Sequence, residues 1–161
     1  MTTDWPYSAA PAAPRRPPGS VRVSLVLAFS GAALLAIAAA FLALLVAAFA
    51  DDGRYQTGGL IFAVPNVVVA NLLVAGALRL RIGHLDGRLL LTVAAALNVA
   101  AAVGWATTVL RLDDHHDVAR FLEITSPLLI PPVLATGFAW MPAARRWTSG
   151  KSRRGVATVH R

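Results

Sequence analysis

The stretch from Val23 to Ala50 carries no charged residue. At ~1.5 Å per residue, a helix of that length more than covers the roughly 30 Å of a bilayer's hydrocarbon. Three further apolar stretches follow, at about 58–78, 89–110 and 121–141. The expected fold is therefore all-α: an integral membrane, antiparallel four-helix bundle. The connections, 51–57, 79–88 and 111–120, are short enough to make consecutive helices antiparallel neighbours. The fourth stretch is interrupted by Glu123 near its start and by Pro127, Pro131 and Pro132. Membrane helices tolerate proline where neighbours re-satisfy the freed carbonyls, so a kink or break is expected there.

The domain division follows. Residues 1–20 form a Pro/Ala-rich tail, with Pro11, Pro14, Pro17 and Pro18, expected to be disordered or extended. Residues 21–141 form the four-helix membrane domain, and 142–161 a basic tail expected to be largely disordered. Ala48-Phe49-Ala50 resembles a signal cleavage site. The apolar run before it is much longer than the 7–15-residue core of a signal peptide, which favours a retained first span.

Composition agrees with lipid as the main solvent. Charged residues make up 14% of the chain, against about 25% in soluble domains. The net charge is +7, and Lys151 is the only lysine beside the arginines. These charges lie in tails and short loops rather than along a soluble face, which points to a membrane surface and away from nucleic acid. Cysteine is absent, which excludes disulfides, thiolate metal sites and cysteine nucleophiles. The alanine and arginine bias points to a GC-rich bacterial genome.

Basic residues near span ends set orientation. With a cytoplasmic N-terminus, Arg15, Arg16, Arg22, Arg79, Arg81, Arg88, Arg145, Arg146, Lys151, Arg153, Arg154 and Arg161 fall inside; only Arg54, Arg111 and Arg120 fall outside, among Asp51, Asp52, Asp113, Asp114 and Asp117. Both termini are thus expected on the cytoplasmic side of a bacterial plasma membrane. Tyr55 and Trp105 then lie near the outer boundary and Trp140 and Trp147 near the inner one, as interfacial aromatics do. Arg145, Arg146, Lys151, Arg153 and Arg154 are expected to meet anionic headgroups.

Helices in lipid associate through close packing and polar contacts. The third span has small residues at a spacing of four, Thr92, Ala96, Ala100, Gly104 and Thr108, and the first has Ala28, Ala32, Ala36 and Ala40. An alanine-rich composition also produces such stripes by chance. Asn66, Asn71 and Asn98 are the intramembrane amides. Asn71 and Asn98 fall at matching depth, roughly 3–5 Å to the cytoplasmic side of the midplane at ~1.5 Å per residue. A hydrogen bond between them is expected, worth about 0.6–2 kcal/mol. The amides serve either as structural glue or as a small polar site on a permeation path.

Asp113, Asp114, His115, His116 and Asp117, with Glu123 behind them, offer carboxylate and imidazole ligands to a divalent metal. Adjacent residues in an extended loop point apart, and a solvated outer loop explains the same cluster. Glu123 is the only acid within a span; near the helix end it can reach the headgroups or pair with Arg120 at i, i+3. His84, Asp86 and Arg88 surround an Asp86-Gly87 turn signal in the inner loop without a nucleophile beside them. No catalytic constellation and no cofactor motif is present.

Three functions fit: a non-enzymatic accessory or interaction subunit acting on a membrane partner or as a homo-oligomer; an oligomeric transporter or channel component using Asn66, Asn71 and Asn98; and metal binding or sensing through the Asp113–Asp117 loop. A cavity reaching the asparagines favours the second, a convergent His115, His116 and Glu123 the third, and a tightly filled bundle the first.

Overall fold

A computed structural model describes residues 16–48, 53–112 and 118–157. Its helices are α1 (Gly19–Ala48), α2 (Gly53–Arg81), α3 (Leu85–Leu112), α4 (Val118–Trp140) and α5 (Pro142–Ala157). The first four close a ring in which α1 packs on α2 and α4, α2 on α3, and α3 on α4. Three are long and apolar enough to cross a membrane: α1, Ala63–Arg81 of α2 and Leu85–Thr107 of α3. A fourth crossing is counted if Thr125–Trp140 and Pro142–Ser149, bent by 64°, form one span.

The break at the end of α4 is where proline acts, though not where the sequence pointed. Pro127, Pro131 and Pro132 all lie inside α4, as Pro65 lies inside α2. The sharp bend comes at Met141, and Pro142 then opens α5, where its missing N–H costs no helical bond. The tail after Met141, expected to be largely disordered, is therefore helical as far as Ala157. Ala144 and Thr148 on its inner face are buried, and Trp147 is half-buried. Of the N-terminal segment expected to be disordered or extended, residues 1–15 lie outside the described residues, and α1 already starts at Gly19.

The α2–α3 connection is tighter than the expected 79–88 loop. Arg79 and Arg81 lie in the last turn of α2 and Asp86 in the first turn of α3, each of the sign its helix end favours. The chain reverses at Gly83, whose φ of 82° is open to glycine at little cost. The Gly83 N–H donates to the Leu80 carbonyl (3.0 Å) and the His84 N–H to the Arg79 carbonyl (2.9 Å), the paired bonds of a Schellman cap. Gly87 is thus not the turn residue. It lies inside α3, where a Cβ would come within 2.4 Å of the Leu80 backbone nitrogen. Its missing side chain lets α2 and α3 cross with backbones in contact.

The interior is built from small residues around a few leucines. Leu35, Leu73, Leu80 and Leu91 are fully buried among Ala28, Ala32, Ala77, Ala94, Ala135 and Ala139. Large apolar side chains such as Val26, Ile37, Phe41, Leu44 and Ile61 face outward. Water-soluble monomers rarely present so much contiguous apolar surface.

The small-residue stripes do not follow this interior. On α1, Ala28 and Ala32 are buried but Ala36 and Ala40 are exposed; the buried set is Val21, Ser24, Ala28, Gly31, Ala32, Leu35 and Ala39. A strict spacing of four advances about 40° per step on a 3.6-residue helix, so the stripe leaves the packed face after two turns. On α3, Ala96, Ala100 and Gly104 are exposed, and a Cβ on Gly104 would meet nothing within 4 Å. The face turned inward carries Leu91, Ala94, Ala95 and Asn98. Thr108's side chain lies outside the described residues.

Candidate functional site

The expected Asn71–Asn98 bond does not form. Asn71 is exposed, and its Nδ2 donates to the Val67 carbonyl of its own helix at 2.8 Å. Asn98 is 4% exposed, and its Nδ2 donates to the Leu128 carbonyl of α4, also at 2.8 Å. Depth along a span fixes height and not rotation. Asn71 points away from α3. Asn98 meets a carbonyl that Pro132, one turn later, leaves without a helical donor.

Asn66 and Asn98 instead line one cavity of about 390 Å³ between the four helices, on the side of Asn98 away from the α2–α3 turn. Thr125 and Trp105 share its wall; Leu42 and Pro65 are among its apolar lining. Asn98 has one N–H committed to Leu128. Asn66 is half-buried and makes no hydrogen bond among the described residues. An amide left unbonded in an apolar wall costs free energy until water or a ligand meets it. The volume and the few polar groups in an apolar lining are those of small-molecule sites. Trp105, expected as an interfacial aromatic, lines the cavity instead, and Thr125 has no sequence signal beyond lying within a turn of Leu128, the residue whose carbonyl Asn98 meets.

Asn71 belongs to a different feature. An open groove of about 830 Å³ runs between α1 and α2, floored by Ala33, Ala36, Ala40 and Ala43 among others, with Asn71 on its rim.

The end of the ring holding the α2–α3 turn carries a second polar cluster. Arg88, expected in a loop, sits in the first turns of α3 and is 4% exposed. Its guanidinium carbon lies 4.1 Å from the centre of the Trp140 ring, close enough for a cation–π contact. Its Nη1 donates to Thr148 Oγ1 at 3.2 Å. The Trp140 indole N–H donates to Thr92 Oγ1 (2.9 Å), and Thr92 Oγ1 donates to the Arg88 carbonyl (2.9 Å). Trp147 Nε1 donates to the Leu80 carbonyl at 3.3 Å. Residues of α2, α3, α4 and α5 are thereby clasped across the bend. His84 and Asp86 stay exposed, and Asp86 pairs with Arg79 at 3.1 Å.

The metal cluster expected at Asp113, Asp114, His115, His116 and Asp117 lies outside the described residues, as does the side chain of Arg120. Glu123 is exposed. Among the described residues no group of three or more metal-ligating side chains converges. Arg145 and Arg146 are exposed on α5; the side chains of Lys151, Arg153 and Arg154 are not among those described. No protein-family model, curated protein or solved structure matches the chain.

Proposed function

We propose that this chain is a four-span, antiparallel membrane protein of a bacterial plasma membrane, with both termini cytoplasmic, that binds a small, mostly apolar molecule carrying one or two hydrogen-bonding groups. In this reading it works as the binding component of a transport system. The observation that carries it is the cavity of about 390 Å³, with the amide of Asn66, which makes no hydrogen bond among the described residues, and the amide of Asn98 in its wall. The outward-facing apolar side chains support the membrane setting, and the arginines gathered at the α2–α3 turn end support the orientation. No nucleophile or acid–base pair accompanies the amides, so the reading is recognition without chemistry.

Trp105 makes the cavity testable by fluorescence. Tribromoethanol is a small apolar probe with one hydroxyl and a strong quencher. The Trp105 contribution, obtained by difference from Trp105→Phe, is expected to be quenched saturably in the full chain and to lose that saturation when Ala102→Phe fills the cavity. Linear, partition-like quenching that is equal in both proteins would refute a binding cavity.

A second reading, an interaction subunit, is favoured by the alanine-floored groove between α1 and α2. Small side chains there permit close approach of another helix, and the exposed Asn71 supplies a polar contact.

A further inference from the structure

Arg88 is a buried cation with no anion beside it among the described residues. The carboxylates among the residues with described side chains are Asp86, already paired with Arg79, and Glu123, at the other end of α4. What surrounds the guanidinium is the Trp140 ring, the Thr148 hydroxyl and the like charge of Arg145. Its Nε is buried without an acceptor, and only one of its nitrogens makes a hydrogen bond among the described residues. A charge withdrawn from water needs a partner of opposite sign or a full set of hydrogen bonds; Arg88 has neither. Arg145 makes the deficit larger.

The surroundings specify the missing partner. The two guanidiniums form a donor set for a phosphate oxyanion, which arginine binds through its planar fork; the Thr148 hydroxyl, which donates within α5 to the Ala144 and Arg145 carbonyls (3.3 and 3.1 Å), accepts from Arg88 and holds it in place. Leu85, Leu89, Trp140 and Met141 around the site are exposed apolar residues, suited to acyl chains and unsuited to a soluble anion in water. Basic pockets between helices at the cytoplasmic side hold anionic lipid headgroups on the same principle.

We propose that Arg88 and Arg145, with Thr148 and the Trp140 ring holding Arg88 in place, form a specific seat for the phosphate of an anionic phospholipid. The seat is completed only when α5 folds back, because Arg145 and Thr148 come from α5 and Arg88 from α3. It therefore differs from a diffuse attraction between a basic tail and the membrane. The inference rests on reading the helices as membrane spans.

The test uses the full chain in mild detergent, titrated with phosphatidylglycerol, with phosphatidylcholine of the same acyl chains, and with inorganic phosphate, and read by native mass spectrometry. One phosphatidylglycerol is expected to be retained at least about tenfold more tightly than phosphatidylcholine, the ratio that loss of one charged hydrogen bond removes. Arg145→Gln alters an exposed residue and leaves the fold intact by circular dichroism; it should reduce the preference several-fold. Arg88→Gln should abolish it, and Arg88→Lys should restore only part. Equal retention of the two lipids by the unaltered chain, or an unchanged preference in Arg145→Gln, overturns the seat. Displacement by inorganic phosphate at the lipid's own concentration overturns the lipid in favour of a soluble anion. Extraction of the chain from cells without detergent would instead overturn the membrane reading itself.

Discussion

Pro132 lacks an N–H, so the Leu128 carbonyl one turn earlier has no donor from its own helix. Asn98 supplies one from α3 at 2.8 Å. The bond is interhelical, yet its strength is set by a defect within α4, and this makes a double-mutant cycle informative. Asn98→Leu is expected to lower unfolding free energy by about 1–2 kcal/mol, because it leaves a partly buried carbonyl unmet. In a Pro132→Ala background the helix regains its own donor, and the penalty of Asn98→Leu should shrink to less than half. Denaturing-detergent titration of the four proteins measures both; equal penalties in the two backgrounds would show that Asn98 does not act through this carbonyl. Half of this contact was legible in the chain. Counting back four from Pro132 identifies Leu128 as the orphaned acceptor, and Asn98 stands out as an amide in an apolar span. Which amide faces the acceptor depends on helix rotation, which neither hydropathy nor depth encodes. Asn71 shows the consequence, since it is exposed and bonds back to the Val67 carbonyl of its own helix.

At the scale of elements, α5 departs furthest from what its sequence leads one to expect. Pro142 suits a first helical position, and Ala144, Trp147 and Thr148 recur at i, i+3, i+4, so one face capable of packing was present. The arginines between them lowered the hydropathy of the whole window, and averaging over both faces concealed the inner one. The long spans were legible for the opposite reason: α1 is apolar all round, so no averaging can hide it. The internal alanine stripes misled because a spacing of four drifts around the helix, whereas the buried face alternates steps of three and four. Docking of α5 has a direct test, since the chain has no cysteine of its own. Ala144→Cys places a thiol at a fully buried position and Arg146→Cys at an exposed one on the same helix. A charged maleimide should modify the first at least about tenfold more slowly than the second, the protection expected of a docked element that opens only rarely. Equal rates would mean that α5 stands free of the ring.

On the scale of the whole molecule, the bend of 64° at Met141 decides how many times the chain crosses. If α4 completes its crossing and α5 lies along the interface, the start of α1, the α2–α3 turn and the C-terminus share one side. Arg22, Arg79, Arg81, Arg88, Arg145 and Arg146 then share it too, and basic residues concentrate on the cytoplasmic face. If α4 with its three prolines only dips into the bilayer and returns, the C-terminus lies opposite the N-terminus, with the same arginines divided between the faces. The two arrangements give different reporter patterns. An enzyme that is active only outside the cytoplasm is expected to be active when fused after Asp52 and inactive when fused after Arg161. Activity at both sites would indicate three crossings and a re-entrant α4. Activity only after Arg161 would reverse the orientation, placing Arg88 and Arg145 on the outer face. The charge distribution argues for the first pattern, because it alone sets these arginines on the cytoplasmic side and the acidic 51–52 connection on the other.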